Sequence, residues 1–320
     1  MRFYVLKRKW TAVFMVSVLL LLLLSVFSYN YSHFRFVVMG DSRGATDGVN
    51  ETTLRALLQK VKGLPTQPKF IIFTGDQVQG GHNLSAKLTN WKAIVGDYYP
   101  INRYYPSIGN HEADEAIFSN AFDYLPNEQL AGYKRTAYYF DYGNARFIVL
   151  NSDRKDANGK YVINSTQRTW LKGLLNNNGK THSFVIFHMP AYPVGAHAGN
   201  SLDGNPAERD ALWAIVDKYN VTAVLVGHEH NYNRRLVDTS FSTGDYTFEN
   251  QIYQLTLGGA GAPLNSLAIN TKGVVVGPKA VYHYMVVDIA GSLASFKVYD
   301  ENNNELDSFT VDVSSTSTVK

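Results

Sequence analysis

Five short apolar runs in this chain end in the same way. Residues 34–39 (FRFVVM) lead into Gly40-Asp41-Ser42-Arg43-Gly44, residues 69–74 (KFIIFT) into Gly75-Asp76-Gln77-Val78-Gln79, and residues 103–108 into Gly109-Asn110-His111-Glu112. Residues 183–187 stop at His188-Met189-Pro190, and residues 224–226 at Gly227-His228-Glu229-His230. Each run has the length of a buried strand, and each is closed by glycine or a polar donor. Segments with helical spacing lie between several of them: Leu54, Leu57, Leu58 and Val61 within 51–64, a second at 85–95, a third at 166–175, and Leu212, Ile215 and Val216 within 207–219. Residues 136–141 and 146–151 flank Tyr142-Gly143-Asn144-Ala145 and predict a hairpin, and the C-terminal part alternates apolar and polar positions around 252–257, 282–289, 292–299 and 305–313.

Strands alternating with helices and then followed by a run of strands predict an α/β fold, a two-sheet sandwich flanked by helices. In open α/β sheets ligands gather beyond the carboxyl ends of the strands. Asp41, Asp76, Asn110, His111, His188, His228 and His230 are therefore expected to converge. His228 and His230, two residues apart in an extended segment, point the same way, and neutral imidazole is the commonest protein ligand for transition metals. Singly, each residue has an ordinary reading: an Asp after Gly caps a helix or closes a turn, and a histidine before Met-Pro packs half-buried. Recurrence at one strand end after another argues for a shared site. The donor set suits two metals about 3.5 to 4 Å apart bridged by one carboxylate, as used for in-line displacement at phosphorus. Carboxylate and amide oxygens with imidazole favour Zn, Mn or Fe over a Ca or Mg cage. Two such cations lower the pKa of a bridging water and yield a hydroxide nucleophile.

The order GD, GD, GNHE, H-x-P, GHxH resembles the calcineurin-like metallophosphoesterase superfamily, and GHEHNYNR is similar to the GHxHxYxR signature of its purple acid phosphatase-like branch. The motifs extend from Asp41 to Arg234. The resemblance implies an αββα fold in which Asp41 and His230 bind a first metal, Asp76 bridges, and Asn110, His188 and His228 bind a second. It places His111 beside the reacting phosphate, as general acid or as a positive charge, with Glu112 holding its imidazole in the productive tautomer. One departure stands out. Many relatives read D-x-H in the first motif where this chain has Asp41-Ser42-Arg43, and purple acid phosphatases place a tyrosine where this chain has Gln79. Arg43 cannot ligate, but its fork suits phosphate oxygens. It is expected to bind substrate phosphate and to replace part of the lost metal charge, the alternative being a salt-bridged surface residue. His197, in the glycine-rich loop 193–206, is the expected further substrate contact. Residues 258–262 (GGAGA) read as a tight turn, and Tyr232 and Arg234 as supports of the site or as ordinary packing.

Arg2, Lys7, Arg8 and Lys9 precede residues 10–27, which carry no charge. At about 1.5 Å per residue this run covers roughly 27 Å, close to the hydrocarbon thickness of a bilayer. It predicts a single-pass signal anchor with the rest of the chain outside the cytoplasm, with cleavage and secretion as the alternative. The expected organisation is residues 1–33 as basic flank and transmembrane anchor, 34–313 as the metallophosphoesterase domain, and 314–320 as a disordered tail. Taking the four flanking basic residues from 30 leaves 26 against 27 acidic ones. A near-neutral ectodomain carries no electrostatic footprint for nucleic acid. With no cysteine present, disulfides, thiolate sites and cysteine nucleophiles are excluded. The function expected is a membrane-anchored phosphoesterase acting on phosphomonoesters or phosphodiesters. A catalytically weakened binding module is the alternative, and a nuclease is the less favoured one.

Overall fold

A computed structural model describes residues 15–18 and 31–314. The expected sandwich forms. One sheet runs, in spatial order, β13 (Glu305–Asp312), β12 (Leu293–Asp300), β11 (His283–Ala290), β1 (His33–Met39), β2 (Ile71–Phe73) and β3 (Tyr104–Pro106). The other runs β10 (Val274–Lys279), β8 (Tyr232–Val237), β9 (Ile252–Leu257), β7 (Ala223–Val226), β6 (His182–Ile186), β5 (Ala145–Val149) and β4 (Tyr138–Tyr142). The strands β1 to β3 are mutually parallel, as are β5, β6, β7 and β9. Several parallel strands therefore end on one side of the sandwich, where their polar clusters fall.

Aromatic residues join the sheets. Phe36 of β1 meets Phe147 of β5 and Phe184 of β6 edge-on, with ring centroids 5.1 and 5.4 Å apart. Burying one such side chain stabilises by roughly 2 to 3 kcal/mol, against about 0 to 1 kcal/mol for an exposed ion pair. The seam therefore outweighs the surface charges in holding the layers. Outside the first sheet, α1 (Glu51–Lys62) starts at Asn50, whose side chain accepts from Thr53 N, and buries Leu54, Leu57, Leu58 and Val61. From α2 (Leu84–Gly96), Trp91 packs on Phe73 and Tyr104. Outside the second sheet, α4 (Ser165–Asn176) and α5 (Pro206–Lys218) set Leu171, Leu212, Trp213 and Val216 in one cluster with Val185 and Val224.

Three elements were not expected: β8, β10 and the short α3 (Glu115–Ala121). In β8 the sequence YNRRLV lacks apolar alternation because its polar side chains are buried with partners. Arg235 is fully buried and donates to the carbonyls of Lys272, Asn270 and Pro193. Arg234 grips Asp307 of β13 at 2.8 and 3.2 Å, and the Tyr232 hydroxyl donates to the same carboxylate at 2.6 Å. Tyr232 and Arg234 thus tie the two sheets together. β10 carries Pro278 on an edge strand, where a missing N–H is tolerated. α3 is too short to show a period.

No helix among the described residues is long and apolar enough to cross a membrane. The expected span at 10–27 lies outside the described residues except for 15–18, a helical segment exposed to solvent. Of the expected tail 314–320, only Ser314 is described.

One core histidine sets a pH limit. His283 is fully buried at the start of β11, its Nδ1 donating to Val281 O at 2.8 Å and its Nε2 without a hydrogen-bond partner. Burial lowers its pKa to about 4. The folded state keeps it neutral while the unfolded chain protonates near pH 6.5, so its contribution is intact above 6.5 and is lost as pH falls toward 4. Between pH 7 and pH 5 this group alone is expected to cost about 2 kcal/mol. Urea unfolding of wild type and His283→Gln at the two pH values measures it, and equal pH slopes in both proteins would refute it.

Candidate metal centre

The strand ends hold their side chains by unusual backbone. Asp41, Asp76 and His228 have φ of +60°, +50° and +68°, in the left-handed region that non-glycine residues seldom adopt. Such conformations cost of order 1 to 3 kcal/mol each and persist where the surroundings enforce them. The glycine before each motif has a spatial reason. A Cβ on Gly75 would strike the His188 ring, and one on Gly109 would strike the Asp76 carboxylate. The recurrent glycines are the room that lets these loops close on one another.

Two groups of ligand atoms result. In the first, His188 Nε2 lies 3.2 Å from His228 Nδ1, 3.4 Å from Asp76 Oδ1 and 3.1 Å from Asn110 Oδ1. The other His188 nitrogen, Nδ1, donates to Thr74 O at 2.8 Å, which leaves Nε2 as a lone-pair donor in the neutral ring. Ligands about 2.1 Å from a tetrahedral ion lie about 3.4 Å from one another, and these spacings match. In the second group, His230 Nε2 lies 3.7 Å from Asp41 Oδ1, with Asp76 completing the set. His230 Nδ1 donates to Pro263 O at 2.8 Å, and Asp41 accepts from His228 N at 3.0 and 3.1 Å. All six of Asp41, Asp76, Asn110, His188, His228 and His230 are thus brought together, as expected from the strand ends.

The electrostatics favour a cation here. Burial pushes the Asp41 carboxyl up to about 8. Burial also opposes charging His188, but Asp76 and Asp41 overcome it and raise the imidazole to about 10. Burial opposes the charge of Asp76 most strongly, but the charge and hydrogen bond of His188, with His111 and His228, together hold the carboxyl well below the usual carboxylate range. Two buried carboxylates thus draw protons onto the cluster, the sign of a site short of positive charge. Asp76 Oδ2 and His228 Nε2 are buried without a hydrogen-bond partner. The residues fit metal binding on chemistry and spacing alike.

Around this centre, His111 is partly exposed, with Nε2 3.7 Å from Asp76 Oδ2. Glu112 does not touch the His111 ring, contrary to expectation. Its fully buried carboxylate accepts from the backbone N–H groups of Asp76, Val78 and Gly109 at 3.1, 3.1 and 2.9 Å. The side chain points into the backbone of two loops, so it pins the Asp76 and His111 loops together. Arg43 is at the centre, not on the surface: its side chain is 13% exposed, and Nε sits 3.7 Å from Asp76 Oδ2. The His197 ring lies on His228 with centroids 3.9 Å apart and is 6.0 Å from His230. Residues 258–262 do not form the expected tight turn. Ala260 N and Ala262 N donate to Gly40 O and Asp41 O, both at 2.8 Å, so the segment runs against the Asp41 loop.

Two residues escaped sequence reading. Glu229, between the two histidines, is fully buried and accepts from Val194 N and Gly195 N at 2.6 Å, fixing the loop that carries His197. Residues 228–231 bend, with His228 at φ +68°, so no strand alternation marks Glu229 in the sequence. Asp153, just beyond β5, has its carboxyl pushed up to about 7 by burial, with the His188 charge opposing. Its signal was the polar cluster Asn151-Ser152-Asp153 after another apolar run. A groove of about 870 Å³ lined by Lys172, Asp217, Tyr246 and Glu249, among others, shares no residue with the cluster.

The family model for calcineurin-like phosphoesterases matches residues 34–232, more than half of the chain and every candidate ligand. The chain belongs to that family. Among relatives of this calcineurin-like phosphoesterase is an Arabidopsis thaliana protein named probable inactive purple acid phosphatase 24, 26% identical over 271 residues, which are 72% of this chain and 42% of that protein. The chain therefore spans less than half of that relative's length. Purple acid phosphatase PPD1 from yellow lupin shares the fold with a TM-score of 0.67 at 17% identity, over 88% of this chain and 54% of that one. So does GAP50 of Plasmodium, described as the anchor in the inner membrane complex, with a TM-score of 0.60 at 16% identity over 88% of each chain. Likeness in sequence places the chain on the purple acid phosphatase side of the family.

Proposed function

We propose that this chain is a metal-dependent phosphoesterase that hydrolyses phosphomonoesters or phosphodiesters at the strand-end cluster. The observation that carries the proposal is the convergence of Asp41, Asp76, Asn110, His188, His228 and His230 on two contiguous ligand groups, in a site short of positive charge. Metal ions held there, with Mn, Zn and Fe the candidates, would withdraw charge from phosphoryl oxygens and lower the pKa of a coordinated water. The residues of the chain supply the rest. Partly exposed at the rim, His111 is placed to give a proton or a positive charge to the leaving oxygen. The Arg43 guanidinium, half-buried beside Asp76, can pair with a phosphate oxygen. Over His228, His197 forms one wall and Glu229 keeps it there. Residues 10–27 would anchor the domain to a membrane with the site outside the cytoplasm.

A second reading has support of its own. Arg43 stands against the group of Asp41, Asp76 and His230, and the Arabidopsis relative is named probable inactive, so a binding module with lapsed chemistry is the competitor. The test is hydrolysis of para-nitrophenyl phosphate and of its bis ester by the full chain with added Mn, Zn or Fe. Turnover of either ester is expected, and the preferred one defines the substrate class. A folded protein that turns over neither with any metal would establish the binding module.

A further inference from the structure

We propose that Arg43, held by Gln79, takes the place of one metal ion, so that the chain binds a single ion at Asp76, Asn110, His188 and His228. The inference deepens the phosphoesterase reading and takes its metal from it. Arg43 and Gln79 lie in different loops, 36 residues apart, yet Arg43 Nη1 donates to Gln79 Oε1 at 2.8 Å. The contact is built into the backbone. Arg43 N donates to Asp76 O at 3.2 Å, Gln79 N donates to Gly48 O at 2.6 Å, and isolated bridges pair Arg43 with Val49 and Gly48 with Gln79. The loop bearing the guanidinium is therefore stitched to the loop bearing Asp76.

The two oxygens of Asp76 divide between two kinds of partner. Oδ1 accepts from His111 N at 3.0 Å and lies 3.4 Å from His188 Nε2, on the side of the four-residue group. Oδ2 has no hydrogen bond, and Arg43 Nε, itself buried and unbonded, faces it at 3.7 Å. An ion held by Asp41, Asp76 and His230 would share the Asp76 carboxylate with a fixed positive charge, which a guanidinium cannot shed and with which it cannot ligate. Only Asp41 and His230 remain to hold the ion without such competition. The other group has four donors and no arginine or lysine among them. Arg43 thus supplies charge where a second ion would otherwise be needed, and Gln79 orients it.

The experiment is the number of Mn ions retained per full chain after desalting, measured by elemental analysis, with the Mn(II) paramagnetic resonance spectrum recorded alongside. Wild type is expected to retain one ion with an uncoupled spectrum, and Arg43→His to retain two with an exchange-coupled one. If Arg43→His fails to fold, Asp41→Asn serves instead: one ion still retained, as in wild type, supports the proposal. Two ions in wild type, none in wild type, or a loss of ion in Asp41→Asn would overturn it. The count needs no turnover. Two retained ions would therefore overturn this inference and leave the phosphoesterase reading standing, whereas absence of ester hydrolysis would do the reverse.

Discussion

Asp76→Asn is expected to lower kcat/KM for the preferred para-nitrophenyl ester by roughly 10²- to 10³-fold, the range lost when one preorganised group at a reacting centre is removed. Asp76 belongs to both ligand groups, is 1% exposed, and stands 3.7 Å from both His111 and Arg43. Among the described residues, no other belongs to both groups. Asparagine keeps the shape but removes the charge that His188 answers, so metal retention should fall together with activity. Steady-state kinetics with elemental analysis on the same preparation measures both. Unchanged kcat/KM with unchanged metal content would remove Asp76 from the centre.

The second large effect is on stability. Glu112→Ala strips the acceptor from three buried backbone N–H groups, those of Asp76, Val78 and Gly109. A buried donor left unsatisfied costs about 1 to 3 kcal/mol, so a total loss of about 3 to 5 kcal/mol is expected once the loops relax. The urea midpoint reports it. If Glu112 instead acted through the His111 tautomer, the variant would keep wild-type stability and shift the pH profile of turnover. Those two outcomes separate a loop pin from a catalytic partner.

The contrast between these residues shows what a linear reading can reach. Asp41, Asp76, His188 and His228 were legible because each follows an apolar run directly or after one glycine, and the parallel strands bring those ends to one side. Arg43 was legible as a departure, but its position was not: the Gln79 contact depends on two loops meeting across 36 residues. Glu112 was misread because its partners are backbone groups of its own and a neighbouring loop, which leave no trace in residue type. β8 was missed for a related reason. Its arginines look solvent-exposed until Asp307, 73 residues away, is laid beside Arg234, and the carbonyls of Lys272, Asn270 and Pro193 beside Arg235. Local chemistry is written along the chain, while the pairing of buried charges is a property of the folded layers.

The central claim is that this cluster hydrolyses phosphate esters only when metal is bound. The direct measurement is release of para-nitrophenol by the folded full chain after chelation and again after return of Mn, Zn or Fe. Activity that vanishes on chelation, returns with metal and is lowered roughly 10²- to 10³-fold in metal-loaded Asp76→Asn is the expected result. Hydrolysis that survives complete metal removal, or never appears with any of the three metals, would contradict the account.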